Sequence, residues 1–123
     1  MSRYLADTHI ALWAWQAPEK LSTAQAETLR TAPRVYLSVA SIWEMAIKAS
    51  LGKLEAPDRI AAAFEENGFE ILPISAAHAE AVRDLPAHHN DPFDRMLIAQ
   101  ARSEGVPILT RDPRFAAYGV RVI

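Results

Sequence analysis

Four short strand-like runs separated by helix-length segments constrain this chain most: Tyr4-Leu5-Ala6, Val35-Tyr36-Leu37, Glu70-Ile71-Leu72 and Pro107-Ile108-Leu109. Short apolar strands alternating with helices predict a mostly parallel sheet covered on both faces, an α/β architecture. The first predicted helix is Thr8 to Gln16, stopped by Pro18. The second is Ser22 to Thr31, with Ser22 as N-cap and Gln25 three positions later to close a capping box. A third runs from Val39 to Leu51, capped by Ser38 and stopped by Gly52. Pro57 is read as opening a fourth helix to Glu66, and Ser75 as capping a fifth to Leu85. Pro92 starts a sixth that ends at Glu104 and Gly105; a helical turn from Pro113 to Ala116 and a last strand at Val120-Arg121-Val122 follow.

The chain has 123 residues and shows no repeat, low-complexity tract or long linker, so a single domain spanning 1–123 is expected. Apolar residues make up 50% and charged residues 23%, a globular composition with enough core for a chain this size. Cysteine is absent, which excludes disulfide scaffolds, zinc fingers, iron–sulfur clusters and thiol nucleophiles and points to a reducing cytoplasm. The uncharged runs from Thr8 to Pro18 and from Val35 to Trp43 are too short to cross a bilayer, so no membrane role is expected. A net charge of −2 supplies no global attraction for polyanions; nucleic-acid binding therefore requires a locally basic face.

In α/β sheets, function gathers beyond the carboxyl ends of the strands. Acids stand there: Asp7 ends the first strand, Glu44 lies in the second turn of the helix after the second, Asp94 in the first turn of the Pro92 helix, and Asp112 three residues after Leu109. Each also has a plain structural explanation. Asp112-Pro113 and Asp91-Pro92 fit N-caps followed by proline, Asp94 faces the positive end of a helix dipole, and Glu44 with Lys48 makes an i,i+4 pair. Asp7 likewise suits the start of the next helix. The conjunction is more informative than any member. Glu44 sits among Val39, Ile42, Trp43, Ala46 and Ile47, where a buried unpaired carboxylate would be costly. Several carboxylates held close repel, and a divalent cation removes that penalty; all-oxygen ligation suits Mg²⁺ or Mn²⁺. The chemistry implied is phosphodiester hydrolysis by a metal-activated water. Arg95, Arg111, Arg114 and Lys48 adjoin the acids as candidates to hold the substrate backbone, or as surface cations screening them.

Leu5-Ala6-Asp7-Thr8, the segment Ser38 to Glu44, the block Asp91-Pro-Phe-Asp94-Arg-Met-Leu-Ile-Ala-Gln-Ala and Leu109-Thr110-Arg111-Asp112 together resemble the PIN-domain ribonucleases. Within them the pattern is most similar to the VapC toxins of bacterial type II toxin–antitoxin modules. The resemblance runs along essentially the whole chain. It implies a three-layer α/β/α sandwich around a mostly parallel sheet and Mg²⁺- or Mn²⁺-dependent endonucleolytic cleavage of RNA. Carried across, Asp7, Glu44 and Asp94 match the usual metal-holding acids and Asp112 the more variable fourth, while Thr8 and Thr110 match hydroxyls that order the site. His9 stands where many members carry Ser or Asn. The family also implies a homodimer and a cognate VapB antitoxin whose tail covers an apolar groove, with Trp13, Trp15 and Trp43 as candidate walls or as half-buried core. Asp91 is assigned to capping. His88 and His89 are expected in a solvated loop, and His78 in a structural role. Two rivals remain. One is a phosphohydrolase with Asp7 as aspartyl nucleophile, disfavoured because His9 and not a second aspartate follows two residues on. The other is a noncatalytic binding module whose acids cap helices and attract a basic partner tail.

Overall fold

The computed structural model describes residues 2–123. Strands β1 (Arg3–Ala6), β2 (Arg34–Ser38), β3 (Phe69–Leu72) and β4 (Ile108–Leu109) form one all-parallel sheet in the order β3-β2-β1-β4. Ala6 pairs with Leu37 on one side and Leu109 on the other, so the three strands that precede the acids of interest come level at their carboxyl ends.

The pleat sends alternate residues to opposite layers. Leu5, Tyr36 and Ile108 pack with Leu97, Ile98, Ala101 and Phe115, which come from α6 (Pro92–Glu104) and the closing 3-10 segment Pro113–Tyr118. Ala6, Val35, Leu37 and Leu109 pack on the other face. Their partners are Ile10 and Leu12 of α1 (Thr8–Gln16), Met45 of α3 (Val39–Ser50) and Phe64 of α4 (Ile60–Glu66), with Leu29 of α2 (Thr23–Thr31) at the margin. The result is the expected α/β/α sandwich.

Local signals account for most boundaries. Ser22 and Gln25 make the full reciprocal capping box on α2, and Ser38 caps α3 by accepting the Ala40 N–H. Gly105 ends α6 at φ 67°, a conformation that glycine adopts without a Cβ penalty. Three boundaries differ from the sequence reading. Pro57 does not open α4, which begins at Ile60: Ala56, the residue before that proline, has no side chain able to cap. Helix α5 (Ala76–Ala81) tightens into a 3-10 turn at Val82–Asp84 instead of continuing, because Leu85 precedes Pro86 and is driven to extended backbone. The strand expected at Val120-Arg121-Val122 shrinks to one parallel bridge between Val122 and Ile108. Among the described residues no helix is long and apolar enough to cross a membrane.

Candidate metal centre

The chain leaves β1 for β2 on one side of the sheet, and β4 returns to lie on the other side of β1. A crevice opens at such a reversal, outside the strand ends. Asp7 and Thr110 follow the two strands that flank it. Asp7 caps α1, accepting the Ile10 N–H at 2.8 Å through Oδ1, while Oδ2 accepts the Thr110 hydroxyl. Thr110 Oγ1 in turn accepts the Asp112 N–H at 3.0 Å, so one hydroxyl ties the loops after β1 and β4 together. Asp7 is buried, and that burial pushes its carboxyl above the usual range despite the bonds from Thr110 and Ile10.

Glu44 is also buried, on the inward face of α3 with Ala40, Ser41 and Met45. Its Oε1 accepts the Thr8 hydroxyl at 2.7 Å, and its Oε2 accepts from Lys48 Nζ at 2.6 Å. The first bond pins α3 to α1. The second raises the Lys48 ammonium above its ordinary value. The apolar neighbours Val39, Trp43 and Ile47 point the other way and are exposed.

Asp94 sits in the first turn of α6, below the cap Asp91, whose Oδ1 accepts the N–H groups of Phe93 and Asp94 at 2.9 and 3.0 Å. The capping assignment of Asp91 is what the structure shows. Asp94 carries the largest perturbation of the acids. Desolvation pushes its carboxyl up to about 7, reinforced by the charges of Asp91, Glu44, Asp7 and Asp112. Asp94 therefore feels the other three acids singled out in the sequence at this edge. Asp112 behaves oppositely. It caps the closing 3-10 segment, accepting Arg114 N–H at 2.9 Å, Nε at 3.0 Å and Nη2 at 2.8 Å, and the guanidinium holds it down at about 2.

His89 corrects the sequence reading. It is buried, not solvated, with its ring edge-on to Phe115. Its Nε2 lies 3.0 Å from Asp94 Oδ2 and 3.1 Å from Asp112 Oδ2, and these three groups form the set of candidate metal-binding side chains most tightly grouped among the described residues. Only the repeated placement of His before the Asp91 cap was visible in sequence; the burial comes from Phe115 and Tyr118, more than 25 residues away. His88 is exposed as expected, and His78 is structural, accepting the Ser75 N–H at 3.0 Å to complete a capping box.

The cations separate into two kinds. Arg95 is not a free substrate contact: its guanidinium donates to the carbonyls of Val82, Leu85, Pro86 and His89, which fixes the loop carrying His89. Lys48 and Arg114 stand at the acids with their side chains 41% and 58% exposed, so part of each remains open to solvent. Arg111 is exposed and donates to the Lys20 carbonyl. Trp13 and Trp15 are half-buried against the core, as expected, whereas Trp43 is 60% exposed and lies edge-on to Phe93. These two aromatics, with Ile74, Val82 and Met96, line an apolar hollow of about 270 Å³ beside the Glu44 and Asp94 helices. A cleft of about 610 Å³ lies at the opposite edge beside Arg3, Arg102 and Arg121, away from the acids.

An all-parallel α/β/α sandwich with acids converging at the strand reversal makes this edge the candidate functional site of a small α/β protein. The PIN domain family model matches residues 4–120, and the chain belongs to that family. It is 23% identical over 121 residues to Ribonuclease VapC22 of Mycobacterium tuberculosis (strain ATCC 25618 / H37Rv), covering 96% of this chain and 93% of the relative. Among solved structures it resembles VapBC2 from Rickettsia felis bound to a promoter DNA fragment, with a TM-score of 0.74, 13% identity and coverage of 98% and 97% of the two chains. DNA-bound VapBC from Salmonella typhimurium gives a TM-score of 0.74 at 21% identity, covering 100% of this chain and 98% of the other.

Proposed function

We infer that this protein is a metal-dependent endoribonuclease toxin of the VapC type, neutralised by a cognate VapB-type antitoxin and working as a homodimer in the cytoplasm. The observation that carries this reading is Asp94. A carboxyl raised to about 7 by burial and by four neighbouring acids is an arrangement that a divalent cation relieves. The donor set fits Mg²⁺ or Mn²⁺: carboxylate oxygens from Asp7, Glu44 and Asp94, with Asp112 at the margin and no thiol among them. Membership of the PIN family, the ribonuclease named among its relatives and the VapBC assemblies among its structural neighbours support the same reading.

A divalent cation held by Asp7, Glu44 and Asp94 would supply water activation and stabilisation of charge on a phosphoryl oxygen. The chain's own residues prepare for that. Ile10 N–H and the Thr110 hydroxyl fix the two oxygens of Asp7, and Thr8 with Lys48 fixes those of Glu44, so neither carboxylate swings free. Lys48 and Arg114 offer partly exposed positive charge at the crevice for the phosphodiester backbone. Arg111 is a more distant contact. The noncatalytic alternative accounts well for Asp91 and Asp112, which cap helical segments. It leaves the desolvated Asp7 and Asp94 without a purpose. An aspartyl-nucleophile route through Asp7 fits poorly, since both its oxygens already accept hydrogen bonds and burial favours its protonated form.

The test is incubation of purified, antitoxin-free protein with total bacterial RNA in Mg²⁺ or Mn²⁺, beside EDTA and Asp7→Asn controls. Discrete fragments that need both metal and Asp7 are expected, with the variant still folded. Intact RNA from folded, metal-loaded protein, or full activity in pure Asp7→Asn, would overturn the assignment.

A further inference from the structure

We propose that His89 is a positioning residue of the metal centre: a ring locked as an Nε2–H donor that braces Asp94 against Asp112 and leaves cation binding to the carboxylates. The inference rests on the metal-dependent reading above. Its observation is the second ring nitrogen. His89 Nδ1 accepts the Asp91 backbone N–H at 3.1 Å, so in the neutral ring the proton belongs on Nε2. That nitrogen faces the acids. It hydrogen-bonds Asp112 Oδ2 at 3.1 Å and stands 3.0 Å from Asp94 Oδ2.

For His89 to ligate a cation through Nε2, the ring proton would have to move to Nδ1. It would then meet the Asp91 N–H donor to donor, and the loop before α6 would lose a bond it is built on. The surroundings hold the residue in place at its backbone and on its ring. Its own N–H donates to the Tyr118 hydroxyl at 2.8 Å, that hydroxyl donates to the Pro86 carbonyl, the His89 carbonyl accepts from Arg95, and Phe115 covers the ring. Asp112 is already gripped by three donors of Arg114, which makes it the fixed end of the brace. Asp94 is the end being positioned. Hydrogen bonds that orient ligating carboxylates typically contribute 10- to 100-fold in metal affinity.

Two substitutions separate the two nitrogens. His89→Gln places an amide N–H near the Nε2 position and keeps the donor to the acids. His89→Asn places an oxygen near Nδ1, keeping the acceptor for Asp91 N–H and losing the brace. Mn²⁺ affinity is measured by calorimetry on the antitoxin-free protein, thermal stability in EDTA, and the tautomer by long-range ¹H–¹⁵N correlation NMR. The expectation is an Nε2–H tautomer, Mn²⁺ binding at least about tenfold weaker in His89→Asn, and near-native binding in His89→Gln. Equal Mn²⁺ affinity in wild type and His89→Asn overturns the brace alone. Equal losses of affinity and stability in both variants overturn it in favour of a loop-packing role, and ¹⁴N couplings from a coordinated imidazole in the Mn²⁺ EPR spectrum overturn it in favour of ligation. A wild-type protein that binds no Mn²⁺ removes the metal reading and the brace with it.

Discussion

At the residue scale, two acids at one edge are pushed in opposite directions by different neighbours. Asp94 rises to about 7, chiefly because burial strips its water; Asp112 falls to about 2, chiefly because Arg114 grips it. The sign of each consequence follows. Between the ordinary value of 3.8 and about 7 the folded protein holds a proton on Asp94 that the unfolded chain has released. Metal-free protein should therefore lose stability as pH climbs through that window. Asp112 contributes the reverse: its stabilisation is complete above 3.8 and disappears as pH falls towards about 2. Thermal unfolding in EDTA across pH 4 to 8 checks the first effect, and a flat or rising profile would count against the buried acid cluster. A cation must also displace the Asp94 proton, so Mn²⁺ affinity should weaken on going from pH 8 to pH 6, with proton release visible in buffers of different ionisation enthalpy.

At the scale of elements, the capping devices and the strand positions were legible in sequence because they are local. Ser22 with Gln25, Ser38, Ser75, Asp91-Pro92 and Asp112-Pro113 each act within three residues, and the structure shows each of them capping. Asp7, Glu44 and Asp94 were legible for a related reason: the end of a strand and the first turns of a helix fix where a side chain stands relative to a parallel sheet. His89 and Arg95 were not, since their partners are set by tertiary packing. Arg95 looks like a surface cation beside an acid, yet it crosses from α6 to four carbonyls between Val82 and His89. Arg95→Met keeps the aliphatic stem and removes those donors. It should destabilise the protein by about 3 kcal/mol, since charged hydrogen bonds to part-buried carbonyls are lost together. Arg95→Lys should recover little, because one ammonium cannot match a planar fork. Urea unfolding measures both, and a loss below about 0.5 kcal/mol in Arg95→Met would show the loop to be held by other contacts.

For the whole molecule, the net charge of −2 conceals a segregated surface. Asp7, Glu44, Asp91, Asp94 and Asp112 collect at the carboxyl edge of the sheet, while Arg3, Arg102 and Arg121 line a cleft at the other. Bringing like charges to one edge opposes folding, so the site is assembled against a cost that a bound cation offsets. Ligand linkage gives that offset a size: a cation at one hundred times its dissociation constant stabilises the fold by about 2.7 kcal/mol. For a domain of this length each kcal/mol moves the midpoint by about 4 °C, so saturating Mn²⁺ should raise the melting temperature by about 10 °C over EDTA. Asp94→Asn removes the most strongly perturbed carboxylate and one candidate ligand together. The variant should melt above wild type in EDTA and respond to Mn²⁺ by no more than about 2 °C, reversing the order of the two proteins when metal is added. Scanning calorimetry of the two proteins in EDTA and in Mn²⁺ reads that reversal. An Asp94→Asn protein that is less stable than wild type in both would mean that this carboxylate holds the fold together, and that the edge is not strained by its acids at all.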